Sequence, residues 1–345
     1  MYDDVLRLIF IFAIAFLMSF ASTPIASILA HKVGAIDVPK DNRRMHKQPI
    51  PRMGGVAIFY AYMIAVLCLC DINLKLRGIL IGATLIEIVG ILDDIYDLKP
   101  LIKLVAQIAA ALIVAVHGVT ISFFTNPIAG GMVNLDYLSI PVTVIWIVAI
   151  TNALNLIDGL DGLAVGISSI TAVSLFTISI MMGDYTIALL SAALLGSCTG
   201  FLPYNFHPAK IFMGDSGSTF LGFLLACISI MGLFKVYAIM SFAVPFIVLG
   251  LPLFDTVFAI IRRIAKGQSP MQADRGHLHH RLIDAGFSQK RAVLVLYTIS
   301  SLLSLSAVVM MFTHSLWRTL LLVVSVLVLL VFSGGLLHKK VNKIS

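Results

Sequence analysis

The sequence predicts an all-α integral membrane protein, a polytopic bundle of about eleven transmembrane helices with its polar loops gathered on one side. It reads as a single domain over residues 1–345. Three observations predict this class. Hydrophobic residues make up 59% of the chain and charged residues 12%, and the mean hydropathy is +1.02; a soluble chain of this length cannot hide that much apolar surface. The apolar residues form runs long enough to cross a bilayer. The charged residues fall almost entirely between those runs. A soluble enzyme, a disordered regulator and a disulfide-stapled secreted domain are excluded on the same grounds. Cys68, Cys70, Cys198 and Cys227 lie inside apolar stretches without a CxxC pair and read as small buried hydrophobes.

The first run, 5–30, follows Tyr2-Asp3-Asp4 rather than a basic segment and continues past Thr23-Pro24, so it reads as a retained span and not a cleaved signal. Further spans are expected at 54–70, 76–92, 101–117, 141–156 (a short one), 163–182, 185–202, 216–234, 238–261, 292–312 and 316–337. Segment 118–140 carries β-branched residues and the pair Gly130-Gly131, which fits a small hairpin. There is no internal repeat of the kind inverted-repeat transporters carry, and no low-complexity linker. An odd number of spans puts the termini on opposite sides. One side collects Lys32, Lys40, Arg43, Arg44, Lys47, Arg52, Lys99, Lys103, Lys210, the basic residues of 262–291 and the Lys-rich tail; the other holds Arg7, Lys75, Arg77, Lys235 and Arg318. The richer side is expected to be cytoplasmic, with the N-terminus outside and the C-terminus inside. The net charge of +7 does not point to nucleic acid, because the basic residues alternate with acidic ones and form no aromatic-basic stripe.

The chemically unusual residues fall on the basic side. Asp93-Asp94-Ile95-Tyr96-Asp97 ends the third span; on a continuing helix all three carboxylates would share a face. Two ionised carboxylates about 4 Å apart repel by about 4 kcal/mol at an effective dielectric near 20, which a divalent cation or a shared proton relieves. Simple solvation at a span end is the alternative. Asn152, Asn155, Asp158 and Asp161 recur every third residue, with Gly159 and Gly162 between and after the aspartates. Asn and Asp oxygens suit Mg²⁺, while interhelical hydrogen bonding is the other use of the asparagines. Gly214-Asp215-Ser216-Gly217-Ser218 enters the eighth span and suits phosphate at a helix N-terminus, without the spacing of a Walker A loop; Asp215 could equally be an N-cap. Arg275-Gly276-His277-Leu278-His279-His280-Arg281 and the basic run Arg43 to Gly55 suit a polyanion, or a solvated loop and a positive-inside signal respectively. Glu87 and Asp255 lie deeper in spans and receive no role. Together these groups suit a metal-bound polyphosphate and a lipid acceptor; an ion-coupled transporter would instead distribute its acids near mid-membrane.

The same segments carry a resemblance. Over nearly its whole length the chain resembles the polyprenyl-phosphate N-acetylhexosamine-1-phosphate transferase superfamily, in five elements: His46–Gly55 (HKQPIPRMGG), Asp93–Asp97 (DDIYD), Asn152–Gly162 (NALNLIDGLDG), Phe212–Ser218 (FMGDSGS) and His277–Leu282 (HLHHRL). The HLHHRL form is similar to the branch that transfers N-acetylglucosamine 1-phosphate from UDP-GlcNAc to undecaprenyl phosphate, initiating wall teichoic acid or surface polysaccharide. The alternative is the peptidoglycan branch, which transfers phospho-N-acetylmuramoyl-pentapeptide. The resemblance implies that Asn155 and Asp215 ligate Mg²⁺ (or Mn²⁺), with catalytic Asp93 and Asp94 at the same centre and one of them deprotonating or orienting the lipid phosphate. It assigns Asp158 and Asp161 to catalysis or nucleotide recognition. Lys47, His277, His279, His280 and Arg281 would contact the diphosphate or sugar, and Asp97 and Asn152 count among the substrate-binding positions. It further implies a bacterial plasma-membrane location, a UDP-sugar donor, undecaprenyl phosphate in the inner leaflet, and a homodimer.

Overall fold

The computed structural model describes residues 2–39, 48–125, 132–232, 240–265, 267 and 277–313. Helices dominate it. In chain order they are α1 (Tyr2–Val33), α2 (Gly55–Leu69), α3 (Leu74–Tyr96), α4 (Pro100–Val116), α5 (Ser139–Ile157), α6 (Leu163–Met182), α7 (Tyr185–Asn205), α8 (Gly214–Gly232), α9 (Met240–Val248), α10 (Gly250–Ala265), α11 (Leu278–Asp284) and α12 (Gln289–Thr313). Local chemistry sets several of these ends. Asn73 accepts the Leu76 N–H at 2.9 Å to start α3, and Asp184 does the same for α7 through Ile187, because a first turn has N–H groups with no partner of its own. Pro100 opens α4, where its missing N–H is no loss.

By length and composition six described helices suffice to cross a membrane: α1, α5, α6, α7, α8 and α12; α2 and α4 are shorter apolar helices. α3 is long enough but carries Lys75, Arg77, Glu87, Asp93 and Asp94. The expected spans coincide with helices in every described case but one. Run 238–261 is two helices, α9 and α10, separated at Leu249; Pro252 has no N–H for the carbonyl of Val248, so the ladder is interrupted there. Span 316–337 lies outside the described residues.

α8 is the buried axis of the bundle, packed against α3 on one side and α5 on another, with α2 and α6 also touching it. α1 lies at the periphery against α7 and α2. Its outward face shows Ile9, Phe10, Leu17, Ile25 and Ile28, which is the expected inversion for a helix facing acyl chains. The α1–α7 seam is tight because Gly196 and Gly200 let the backbones meet: a Cβ at either would stand 2.4 Å from a carbonyl oxygen of α1. Small residues at this four-residue spacing are the common device for close helix approach in membranes.

Among the described residues there are also two small antiparallel pairs. β3 (Phe123–Thr125) pairs with β4 (Met132–Asn134), the hairpin expected within 118–140. β1 (Ile36–Asp37) pairs with β2 (Ile50–Pro51) and has no counterpart in the sequence reading. From β2 the chain runs alongside the segment before α8: Phe212 donates its N–H to Pro51 O at 2.8 Å, and Gly54 and Gly55 donate to Phe212 O and Met213 O at 2.9 and 2.8 Å. These bonds lock the entry of α2 to the entry of α8.

Candidate active site

The site is built where three helix ends meet: the last turn of α3, the end of α5 with the turn after it, and the first turn of α8. α3 stops at Tyr96, and Asp97 takes a left-handed backbone with φ 55°. The helix therefore does not continue, and Asp97 points away as an exposed residue rather than sharing a face with Asp93 and Asp94. Those two are buried and divide the work. Asp94 reaches the N-terminus of α8, where its carboxylate accepts N–H from Asp215 (2.9 Å) and Ser216 (3.2 Å) and the hydroxyl of Ser216 (2.6 Å). The cap of α8 is thus Asp94, supplied by another helix, and not Asp215. Gly214 precedes this contact at φ +75°, and a Cβ there would stand 2.5 Å from Asp94 Oδ2 and 2.8 Å from Arg52 O; only glycine meets both conditions.

Asp93 turns the other way. It accepts the Leu98 N–H at 2.7 Å and pairs with the Lys103 ammonium at 2.9 Å, while the same ammonium stands 2.8 Å from Asp215. Lys103, on the first turns of α4, is the cation that lets two carboxylates share one site, and the sequence reading used it only to orient the chain. Its signal was spacing: it follows Asp93 by ten residues across a short turn.

At the end of α5, Asn155 donates to Ser218 Oγ of α8 at 2.8 Å. Asn152 donates to Gln107 Oε1 of α4 at 2.6 Å and to Val148 O, which is an interhelical bond in the packing. Asp158 caps the end of α5, its N–H donating to Asn155 O at 3.3 Å, while its carboxylate has no hydrogen-bond or ion-pair partner among the described residues. Burial and the nearby carboxylates of Asp215, Asp94 and Asp161 push its carboxyl up to about 8. Asp161 is held by His207 Nδ1 (2.7 Å) and the Ala209 N–H (3.1 Å) on one oxygen. Asn205, absent from the sequence reading, bridges Gly162 N–H and Ile211 O and fixes the turn that carries both aspartates.

Asp94, Asn155, Asp158, Asp161 and Asp215 line a single cavity of about 320 Å³, with Arg52 and Phe212 at its wall. Asp93 touches it indirectly, through Lys103 and Asp215. None of His277, His279, His280 and Arg281 lines that cavity; the segment instead packs on the Asp158–Gly159 turn that does. His279 is buried, and its Nε2 would lie 2.3 Å from a Cβ at Gly159, so glycine is what allows the ring to rest on the Asp158–Gly159 turn. Burial, reinforced by His280, holds the imidazole down to about 3; His279 is neutral here, not a cation, and its buried Nδ1 has no hydrogen-bond partner among the described residues. His277 is buried against Asp255, His280 is half-buried and Arg281 exposed. Lys47 lies outside the described residues.

Among the described residues no group of three or more Asp, Glu, His or Cys side chains forms a ready-made metal cage. Asp93 and Asp215 share Lys103, and Asp94 is engaged by the N-terminus of α8. The other Asp residues lining the cavity are Asp37, Asp158, Asp161 and Asp215, with Asn155 beside them, all carrying hard oxygen donors. Such a set fits a hard cation that completes its shell with phosphate oxygens and water, and the unpartnered carboxylate of Asp158 is the observation that favours it.

Comparison with known proteins agrees with this chemistry. Residues 76–233 match the model of glycosyl transferase family 4. The chain is 41% identical, over 93% of its own length and 89% of the relative's, to a Bacillus subtilis protein named "Probable undecaprenyl-phosphate N-acetylglucosaminyl 1-phosphate transferase". It is 39% identical to a decaprenyl-phosphate N-acetylglucosaminephosphotransferase of Mycolicibacterium smegmatis, covering 82% of this chain and 77% of that one. A Thermotoga maritima undecaprenyl-phosphate alpha-N-acetylglucosaminyl 1-phosphate transferase is 32% identical over 84% of this chain and 86% of its own.

Proposed function

The chain belongs to glycosyl transferase family 4, among the polyprenyl-phosphate N-acetylglucosamine-1-phosphate transferases, and from that premise we propose that it transfers N-acetylglucosamine 1-phosphate from UDP-GlcNAc to undecaprenyl phosphate. A phosphate oxygen of the lipid attacks the β-phosphorus of the donor, the bond from that phosphorus to the bridging oxygen breaks, and UMP leaves with the electron pair. The product is a lipid-linked diphosphate sugar, the starting point for wall teichoic acid or surface polysaccharide. The observation that carries the reading is the single cavity in which Asp94, Asn155, Asp158, Asp161 and Asp215, distant in sequence, converge beside Arg52.

Asn155 and Asp215 would hold Mg²⁺ on this reading, with Asp158 beside it. The ion, when bound, neutralises diphosphate charge and stabilises the departing phosphate. The remaining work belongs to the chain. Lys103 bridges Asp93 and Asp215 and offsets their mutual repulsion, Asp94 fixes the α8 entry that presents Asp215, and Arg52 offers donors to phosphate oxygens. The Lys and Arg distribution supports a cytoplasmic cavity and an outer N-terminus, and the resemblance to the family supports a bacterial plasma membrane as the location. A homodimer rests on the resemblance alone and is read from the mass of the purified protein in detergent.

The test is a donor panel. Purified protein with undecaprenyl phosphate and radiolabelled UDP-sugars is expected to release UMP from UDP-GlcNAc, only when the lipid is present, and to stop on addition of a chelator. Turnover of UDP-N-acetylmuramoyl-pentapeptide in its place would move the chain to the peptidoglycan branch. A phosphorylated aspartate formed from UDP-GlcNAc alone would replace direct attack with double displacement.

A further inference from the structure

Asp255 sits on α10, outside the cavity and without a role from its sequence context. Its side chain is nonetheless fully engaged: it is 5% exposed, Oδ2 lies 2.8 Å from His277 Nδ1, and Oδ1 accepts the Leu278 N–H at 2.8 Å. A carboxylate can only accept. The ring proton of a neutral His277 therefore resides on Nδ1, and Nε2 keeps its lone pair. The same carboxylate supplies the first turn of α11 with an acceptor that His277, its N-cap residue, does not provide. Along α11 the ring of His279 stacks nearly parallel on His277, 5.8 Å between centroids at 9°, and His279 rests on Gly159 beside Asp158. One buried carboxylate thus sets the ring state of His277 and the placement of the segment that rests on the Asp158–Gly159 turn of the cavity lining.

We propose that Asp255 is a positioning residue for the transfer reaction: it holds His277 in the Nδ1–H form and docks the His277–His280 segment against the Asp158–Gly159 turn. The proposal rests on the reading of the cavity as the phosphosugar-transfer site. A carboxylate that serves packing alone would have no reason to be tied to the ring nitrogen, since the Leu278 cap needs only an acceptor.

Asp255→Asn separates the two roles. Its amide oxygen still accepts from Leu278, but its NH₂ faces Nδ1 as a donor and drives the ring proton to Nε2. In the purified full-length protein, kcat is expected to fall by about 10- to 100-fold, the usual effect of losing a partner that orients a functional imidazole. KM for UDP-GlcNAc should stay within about threefold of wild type, as for an interaction expressed in the transition state, and the thermal midpoint should not move. Asp255→Glu should recover part of the rate, and adding Asp255→Asn to His277→Ala should cause no further loss. Nitrogen-15 NMR of histidine-labelled protein, with His277 assigned by its disappearance in His277→Ala, should report Nδ1–H in the wild type and Nε2–H in Asp255→Asn; this readout needs no turnover. Wild-type kcat in Asp255→Asn, a full additive loss in the His277→Ala background, or an unchanged His277 tautomer overturns the proposal. A wild-type protein that transfers nothing from any UDP-sugar overturns the assigned reaction instead, and the NMR result then still decides whether Asp255 governs His277.

Discussion

Asp158 is the cavity carboxylate whose charge depends most on what binds beside it. Its carboxyl ionises near 8 in the fold against an ordinary 3.8, so the protein without a bound cation carries it protonated at neutral pH. A divalent cation must displace that proton. Affinity for Mg²⁺ or Mn²⁺ is expected to rise with pH up to about 8 and level off above it, and Asp158→Asn should abolish most of that slope; calorimetric titrations across this range check both. The same shift acts on stability with the opposite sign. Between about 4 and 8 the unfolded chain has Asp158 ionised while the fold keeps it neutral, so unfolding releases a proton and stability without a cation falls as pH rises. Asp94 has a different task. Asp94→Ala leaves two N–H groups and a hydroxyl at the start of α8 without their acceptor, and each buried group so orphaned is worth about 1–3 kcal/mol. A lowered thermal midpoint should accompany loss of turnover, with Asp94→Asn milder in stability because its oxygen still accepts.

The site depends on where helices end rather than on the helices themselves. α3 stops one residue before Asp97, α5 stops at Asp158, and α8 begins at Gly214. Each end exposes backbone groups or a turn that a neighbour answers: Asp94 for α8, Asn205 for the turn after α5, Asp255 for α11. α11 meets the α5–α6 turn only because Gly159 has no side chain. Gly159→Ala is expected to push His279 and α11 off the Asp158–Gly159 turn while leaving the membrane helices intact. Turnover should drop by about 10-fold or more, since small displacements of positioning groups have large effects on rate, with circular dichroism unchanged. A variant that turns over normally would show that α11 contributes nothing to the chemistry.

At the scale of the molecule, apolar side chains cover the outside and the polar groups gather at one end of a buried axis. Ionisable residues cluster at helix ends around one cavity, whereas an ion path would need them in series across the bilayer. Glu87 and Asp255 are exceptions: Glu87 is buried in α3 with neither oxygen bonded among the described residues, and Asp255 is buried within α10 against His277. The orientation read from Lys and Arg gives a direct test. In a cysteine-free background, Tyr137→Cys, at a fully exposed position beside the β3–β4 hairpin, should react with an impermeant thiol reagent added to intact cells. Ala285→Cys, exposed at the end of α11, should react only after the membrane is opened. The reverse pattern would turn the protein over.

The sequence by itself determined the membrane class, nearly every described helix, the β3–β4 hairpin and the short segments that hold the chemistry. Hydropathy runs and glycine or proline punctuation are local properties, and a helix forms from neighbours along the chain. Only the tertiary structure decided which acid does what. Asp94 rather than Asp215 caps α8, Lys103 joins Asp93 to Asp215, Asn152 is spent on Gln107, and the ninth expected span breaks into two helices. These assignments depend on which donor comes within about 3 Å of which acceptor, a matter of how distant helices pack against one another, and no pattern along a single strand of sequence carries that distance.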